Sequence, residues 1–356
     1  MPKDSILNRT AIKLETAFRL LSRPWRDGLV NFRLADSQSP FLVHRCTLHK
    51  ATYFSETLDW IEQHASDLRE QFWLYATPNS PPNLKEKKLL INSFNETTLQ
   101  DHPALLSRIQ QLESECDQQG IRTINRTEGL LRMRKSECGD WLAKAGVRAP
   151  KAVSIVNREQ FQHDIGDLEF PLLIREELIH GGHAPSYLVQ NYRELGTVPL
   201  HQMAQPFASE YIDTRGDDGN YRKYRYVAIG EIGIPFTQQV SPTWEARTKS
   251  RITNKQTTAE ELEFMKQPDP NHDLFQHAMK IIGLDYAAFD YSYTSEGQPV
   301  VWELNVTPGW GKYNSKRPYV QIAQDKIFAA TLAFYFSSAG LDVPDALSVW
   351  KERKIA

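Results

Sequence analysis

The chain has 356 residues, of which 40% are hydrophobic and 24% charged, a composition typical of a soluble globular protein. Its 42 basic and 44 acidic side chains leave a formal net charge of −2, which argues against nucleic-acid binding through bulk charge and against a polybasic membrane surface. No apolar run is long enough to predict a membrane span, and the N-terminus lacks the apolar core of a secretory signal. The irregular spacing of Cys46, Cys116 and Cys138 indicates reduced thiols and a cytoplasmic protein, not a disulfide framework or a zinc site.

The first part of the sequence predicts an α/β domain. Residues 57–74 have helical spacing, and the Pro-rich stretch at 78–82 breaks the chain. Strand and helix patterns then alternate, which is typical of a parallel sheet with crossover helices. The predicted elements are a strand at 88–94, a helix at 102–120, a strand at 121–125 and a helix at 126–145.

From residue 151 the pattern changes to shorter elements, which predict a small α+β unit followed, from residue 207, by another. The loop His180-Gly181-Gly182-His183 separates two predicted strands, and Gly230 marks the turn of a hairpin. The predicted elements are strands at 152–156, 170–175, 186–190 and 207–213, the hairpin 225–234, and helices at 158–165, 260–283 and 324–339.

The most informative segment is a predicted hairpin, 287–305, which turns at Ser295-Glu296-Gly297-Gln298. A symmetric turn pairs Thr294 with Pro299 and therefore sets Asp290 opposite Glu303, with Asn305 on the same face. Two carboxylates directly opposite each other repel, whereas a bound hard cation would hold them together, and carboxylate and amide oxygens suit Mg²⁺. The plainer interpretation is two acids on a solvated face. The opposite, core face is predicted to carry Phe289, Tyr291, Tyr293, Val300, Trp302 and Leu304.

Over residues 120–340 the order of elements resembles the ATP-grasp superfamily, which includes D-alanine–D-alanine ligase, glutathione synthetase and ribosomal-protein glutamate ligases. The most specific part of the resemblance is the hairpin, with Asp290, then Glu303-Leu304-Asn305, then Pro308-Gly309. Family members use the corresponding Asp, Glu and Asn to hold magnesium against the triphosphate. The resemblance thus implies the same three residues that the strand register places on one face.

The resemblance also implies nucleotide-binding residues. Lys135 and Arg175 stand where the family has phosphate-binding lysines, and arginine keeps the charge while adding a planar fork. The segment Glu210-Tyr211-Ile212 resembles the hinge that meets adenine and ribose. Arg225 stands where an arginine faces the transferred phosphate or acyl group. Arg251, in a polar loop, is a further candidate for neutralising phosphate or a substrate carboxylate, although a charged run is more often a solvated loop.

Taken together, the resemblance implies an ATP-grasp fold of mixed α/β and α+β class, with two α+β subdomains clamping ATP. It implies an N-terminal α/β domain over 1–128, a central subdomain over 129–205 and a C-terminal subdomain with the metal site over 206–345. The implied activity is an ATP- and Mg²⁺-dependent carboxylate–amine ligase that forms an amide through an acyl phosphate, with a small molecule or peptide as substrate. No nucleic-acid or membrane partner is expected, and a homodimer is left open because dimers are the commonest oligomers.

Two other functions remain compatible with these residues. An ATP-grasp kinase would share the metal site but transfer phosphate to a substrate and form no amide. A nucleotide-binding protein without ligase activity is compatible with Arg175 replacing lysine and with the unusual HGGH loop. By contrast, no G-x-G-x-x-G motif follows the strands predicted at 88–94 and 121–125, which argues against a Rossmann oxidoreductase.

Overall fold

The protein is described from a computed structural model. The structure describes residues 38–46, 54–77, 82–94, 96–101, 103–177, 186–310, 317–351 and 355. The HGGH loop and the first 37 residues of the predicted N-terminal domain lie outside these ranges. The chain divides into two compact units, one from the described parts of 1–94, 107–124 and 335–343, the other from those of 95–106, 125–334 and 344–356.

The strands and helices of both units are numbered here in chain order. They are β1 Phe41–Cys46, α1 Ser55–His64, β2 Phe72–Thr77, β3 Leu89–Asn92, α2 Glu96–Asp101, α3 Pro103–Gln118, β4 Arg122–Ile124, α4 Thr127–Leu131, α5 Cys138–Lys144, β5 Ala152–Ser154, α6 Arg158–Asp164, β6 Leu172–Glu176, β7 Tyr187–Val189, α7 Tyr192–Leu195, β8 Pro206–Glu210, β9 Tyr221–Ile229, β10 Ile232–Ser241, α8 Lys255–Lys266, α9 His272–Ile282, β11 Tyr286–Tyr293, β12 Pro299–Asn305, α10 Pro318–Ser338 and α11 Asp345–Lys351.

The first unit contains a four-stranded parallel sheet in the order β2-β1-β3-β4, which confirms the predicted parallel arrangement. All four residues of β3 are buried, as expected for a strand covered on both faces. Helix α3 ends before Gly120, whose φ of +70° is the left-handed conformation that commonly follows a helix. One cluster of its core comprises Leu42, Tyr75, Leu84, Leu90, Leu112, Cys116 and Ile121.

The second unit contains two antiparallel four-stranded sheets. One has the order β5-β8-β6-β7, and the other has the order β10-β9-β11-β12. Helix α9 packs on β9 and β11, where the ring of Phe275 stacks on that of Phe289 at 4.6 Å between centroids. The predicted hairpin turn at Gly230 is confirmed, with a φ of +54°. This second sheet carries the residues predicted to bind the metal.

Three helix predictions were wrong, each because local spacing missed an interruption. The segment 57–74 is α-helical only to His64 and then forms a 3₁₀ helix over Ser66–Gln71, and residues 72–77 pair instead with β1. The helix predicted over 126–145 is two short helices, α4 and α5. The helix predicted over 260–283 breaks between α8 and α9, where Pro268 and Pro270 disrupt helical geometry. Among the described residues, no helix combines the length and apolar character needed to cross a bilayer.

Candidate active site

Strands β11 and β12 set Asp290 opposite Glu303, the pairing predicted from the sequence, but they reach it differently. Near the turn Tyr293, not Thr294, pairs with Pro299. A register shift between Asp290 and Tyr291 then leaves Trp302 as the extra residue and restores the predicted pairing. The placement of Trp302 on the core face was therefore wrong, because its indole N–H donates to Ser292 Oγ at 2.8 Å.

The carboxylate of Asp290 is almost completely buried and is bonded to two cations of the neighbouring strand β9. Arg225 donates from Nε to Oδ1 at 2.6 Å and from Nη2 to Oδ2 at 2.9 Å, and Lys223 Nζ lies 3.4 Å from Oδ2. Strand register explains the contact, because Arg225 pairs directly with Asp290. Burial would raise the pKa of Asp290, but Arg225 and Lys223 outweigh burial and lower it. Asp290 is therefore ionised near neutral pH.

The guanidinium of Arg225 is held by two groups, the carboxylate of Asp290 and a backbone carbonyl that follows β12. Besides Asp290, its guanidinium donates to the carbonyl oxygen of Gly309 at 3.2 Å. Burial opposes its charge, yet the attraction of Asp290 and Glu303 raises the pKa of Arg225. A permanently charged guanidinium that is held in a fixed orientation can stabilise a developing phosphoryl charge.

Asp290, Glu303 and Asn305 offer only oxygen donors, which is the chemistry that Mg²⁺ prefers. Among the described residues no cluster of three His, Cys, Asp or Glu side chains has metal-binding geometry, and the predicted set holds only two carboxylates and an amide. An ionised carboxylate has about four lone-pair positions, of which Asp290 uses three. The three side chains are therefore of the type that binds a hard cation, and Asp290 keeps about one lone-pair position beyond its contacts with Arg225 and Lys223.

Lys135 lies in the turn between α4 and α5 and belongs to the same electrostatic neighbourhood. Its Nζ donates to the carbonyl oxygen of Glu177 at 3.0 Å. Burial lowers the pKa of Lys135 and nearby Arg175 adds to this, whereas Glu303, Glu96 and Glu177 oppose it. The structure thus places Lys135 within electrostatic range of Glu303, of the predicted metal set, and of Arg175, the second predicted phosphate-binding cation.

Cys138, the first residue of α5, lies within this acidic neighbourhood. Burial, followed by Glu96, Glu303 and Glu177, raises the pKa of its thiol. Cys138 is a free, buried cysteine. Because the thiolate is the reactive form, these conditions oppose a role as a nucleophile.

A cavity of about 610 Å³ adjoins the turn that carries Lys135. Ser136 and Glu177 line it on this side. The cationic side chains of Arg134 and Arg158, together with His201, contribute to its remaining wall. Its volume falls in the range of small-molecule sites.

The predicted hinge begins at Glu210, the last residue of β8, and continues into the segment that follows this strand. The carboxylate of Glu210 pairs with Arg148 and accepts the backbone N–H of Lys151 at 3.3 Å. The hydroxyl of Tyr211 lies 3.2 Å from that of Tyr221. Ile212 is half-buried in the following segment. Glu210 is therefore held in place by residues that directly precede β5, the strand that pairs with β8.

Arg251 occupies a different environment from the other predicted residues. It lies 2.8 Å from Glu261, which is 1% exposed, and donates to the carbonyl oxygen of Gln238 at 2.7 Å. Glu261 also accepts from Arg317 at 3.0 Å and from the hydroxyl of Tyr319 at 2.8 Å. These contacts assign Arg251 to a buried ionic cluster beneath α8.

Sequence reasoning missed Lys223 and Glu177. Lys223 has a recoverable signal, because it lies two residues before Arg225 on a strand and must share its face. Glu177 has none, because the backbone N–H groups that its carboxylate accepts lie more than 40 residues earlier in the chain.

No protein-family model and no curated protein sequence matches this chain. Solved structures do resemble it. D-alanine–D-alanine ligase from Bacillus anthracis, complexed with ATP, is 14% identical with a TM-score of 0.53 over 88% of this chain and 98% of that chain. The ATP-grasp ligase PsnB, complexed with a minimal precursor, is 13% identical with a TM-score of 0.47 over 76% of this chain and 92% of that one. A RimK-domain ATP-grasp protein from Sphaerobacter thermophilus is 14% identical with a TM-score of 0.48, also over 76% and 92%.

Proposed function

Because this chain has the ATP-grasp fold, we propose that it is an ATP- and Mg²⁺-dependent ligase that joins a carboxylate to an amine. The observation that carries the proposal is the position of Glu303. It lies opposite Asp290 and interacts electrostatically with both Arg225 and Lys135. The carboxylate of Glu303 is thus close both to the acidic partner Asp290 and to two cations, Arg225 and Lys135, of the kind that bind phosphate.

Every candidate residue except Arg251 has a role in this proposal. Lys135 and Arg175 bind nucleotide phosphates, and Arg225 faces the group that is transferred. The metal ligands are Asp290, Glu303 and Asn305, and Mg²⁺ would neutralise charge on the phosphate oxygens. The hinge residues that bind adenosine are Glu210, Tyr211 and Ile212.

The proposed reaction has two steps. A substrate carboxylate oxygen attacks the γ-phosphorus of ATP, which breaks the bond to the β-phosphate oxygen and yields an acyl phosphate and ADP. An amine then attacks the acyl carbon, phosphate leaves, and the amine loses a proton. The protein contributes position and electrostatic stabilisation, the usual terms in phosphoryl transfer. An amino acid or peptide is the proposed substrate class.

The product decides between this reaction and phosphorylation. The purified chain is incubated with ATP, Mg²⁺ and pools of amino acids and short peptides, and the products are analysed by mass spectrometry. A ligase yields a species with the mass of two substrates less one water. A product that carries one added phosphoryl group instead identifies a kinase, and ATP binding without turnover in any pool supports a binding protein.

We expect Glu303→Gln to abolish Mg²⁺-dependent ATP turnover, because it removes a metal-binding charge while retaining side-chain volume. The measurement is phosphate release under saturating ATP, with circular dichroism to verify folding. Glu263→Gln is the matched control, because Glu263 is exposed on α8 of the same unit. Turnover by Glu303→Gln at the wild-type rate would contradict the metal assignment.

A further inference from the structure

The turn that carries Lys135 is held by a buried carboxylate from a distant strand. Glu177 directly follows β6 and is 2% exposed. Its Oε1 accepts the backbone N–H of Lys135 at 2.6 Å, and its Oε2 accepts that of Ser136 at 3.0 Å. Each carboxylate oxygen thus satisfies one of two consecutive backbone donors where the helical hydrogen bonding of α4 has ended.

Glu177 also contacts the side chain of Lys135. Its own carbonyl oxygen accepts Lys135 Nζ at 3.0 Å, and its backbone N–H donates to Gln205 at 3.0 Å. Glu177 is therefore anchored to the β-sheet while it holds Lys135 at both the backbone and the amine. A long lysine side chain otherwise has about 2 kcal/mol of rotamer entropy to lose on binding.

We propose that Glu177 is the positioning residue for Lys135, orienting its ammonium toward the phosphate groups of the nucleotide. This inference rests on the proposed nucleotide-binding function and adds a residue that touches no nucleotide itself. Charge-assisted hydrogen bonds of this kind are stronger than neutral ones. The hydrogen bonds from Lys135 and Ser136 to the carboxylate of Glu177 take the place of the helical hydrogen bonds that would otherwise fix the backbone here.

Glu176 provides a matched control. It is the adjacent residue, is 9% exposed, and its carboxylate accepts one backbone N–H, that of Ala204, at 3.1 Å. Glu176→Gln and Glu177→Gln therefore both replace a buried, N–H-accepting carboxylate by its amide at the same end of β6. Only the second change touches the turn that carries Lys135.

The test measures the Kd of ATP, in the presence of Mg²⁺, by titration calorimetry for the wild type, both glutamine variants, Lys135→Met and the double variant Glu177→Gln/Lys135→Met. We expect Glu177→Gln to weaken ATP binding about tenfold, because the amide's NH₂ group faces an N–H donor and displaces the turn. Glu176→Gln should leave the Kd unchanged. In the Lys135→Met background, Glu177→Gln should have little further effect.

A structural role alone predicts a different result. Glu177→Gln would then weaken ATP binding by the same factor whether or not Lys135 is present, and additivity of the two changes would overturn the proposal. An unchanged Kd in Glu177→Gln would also overturn it. If the wild type binds no ATP, the proposed function fails. If the wild type binds ATP and Glu177→Gln binds it equally well, only the positioning role of Glu177 fails.

If Glu177→Gln does not fold, Glu177→Asp decides the matter. Aspartate keeps the charge but withdraws the carboxylate by one methylene group. A severalfold loss of ATP affinity that disappears in the Lys135→Met background supports positioning. A Kd equal to that of the wild type overturns it.

Discussion

At the scale of single residues, two arginines for which the sequence predicts similar roles differ in the acidic side chains that they contact. The sequence predicts that Arg225 faces the transferred phosphate or acyl group and that Arg251 neutralises phosphate or a substrate carboxylate. Arg225 is paired with Asp290 opposite Glu303. Arg251 is only 14% exposed at its side chain and contacts Glu261, which also binds Arg317. The contacts of Arg251 are those of a structural ion cluster.

We therefore expect Arg251→Met to lower the free energy of unfolding by about 1.5–3 kcal/mol, the range for hydrogen bonds to a charged group. Urea titration followed by tryptophan fluorescence measures the change. Lys249→Met, an exposed position in the same loop, should be nearly neutral. A large loss of catalytic rate with wild-type stability would instead return Arg251 to the active site.

At the scale of elements, helix α4 packs against the end of α9 through a close contact between the backbones of Gly129 and Gly283. Helix α4 lies against the C-terminal end of α9, where Gly283 adopts a φ of +83°. A Cβ atom built on Gly129 would lie 2.3 Å from the carbonyl oxygen of Gly283. Arg132 reinforces the contact by donating to the carbonyl oxygen of Ile282 at 3.1 Å. Glycine is thus required in the middle of α4 despite its poor helix propensity.

Gly129→Ala should destabilise the second unit by about 1–3 kcal/mol, the usual cost of overpacking, although alanine favours helices. Gly309→Ala is the matched control, because a Cβ atom at Gly309 meets nothing within 4 Å. Thermal unfolding of the two variants measures the difference. Equal melting temperatures would show that α4 can move away from Gly283 at no cost.

The same scale shows why the hairpin prediction succeeded at the site and failed beside it. The predicted turn pairs Thr294 with Pro299, whereas the structure pairs Tyr293 with Pro299, a shift of one residue. The bulge at Trp302 adds one residue to β12 and so cancels this shift by the time the strands reach Asp290. A bulge depends on how the strand fits its neighbours, here β9 beside β11. The agreement at Asp290 and Glu303 therefore came from two offsetting displacements.

At the scale of the whole molecule, one buried imidazole makes stability depend on pH. His44 lies in β1 of the parallel sheet and is 1% exposed. Its ring is tilted toward Tyr75 and meets Phe94 edge-on. Burial lowers the pKa of His44 from 6.5 to about 4, against a smaller opposing contribution from Asn92. The folded first unit therefore holds His44 neutral.

Between pH 6.5 and about 4, the unfolded chain binds a proton at His44 that the folded chain does not. Stability from this group is thus complete above pH 6.5 and is lost as pH falls, by up to about 3 kcal/mol. Hydrogen exchange of peptides from 38–46 and 82–94 at pH 7 and pH 5 measures the loss. We expect His44→Gln to reduce this pH dependence, while His201→Gln, at an exposed position, should retain it.

The sequence by itself determined the alternation of strands and helices between residues 88 and 125, the parallel arrangement of the first unit's sheet and the hairpin that carries Asp290 and Glu303. These follow from hydrophobic periodicity, glycine turns and strand alternation, which are properties of neighbouring residues. The tertiary structure alone decided the break between α4 and α5, the pairing of Asp290 with Arg225 and Lys223, and the burial of Arg251 against Glu261. Each of these depends on groups far apart in the chain, such as Lys135 and Glu177, which only folding brings within hydrogen-bonding distance.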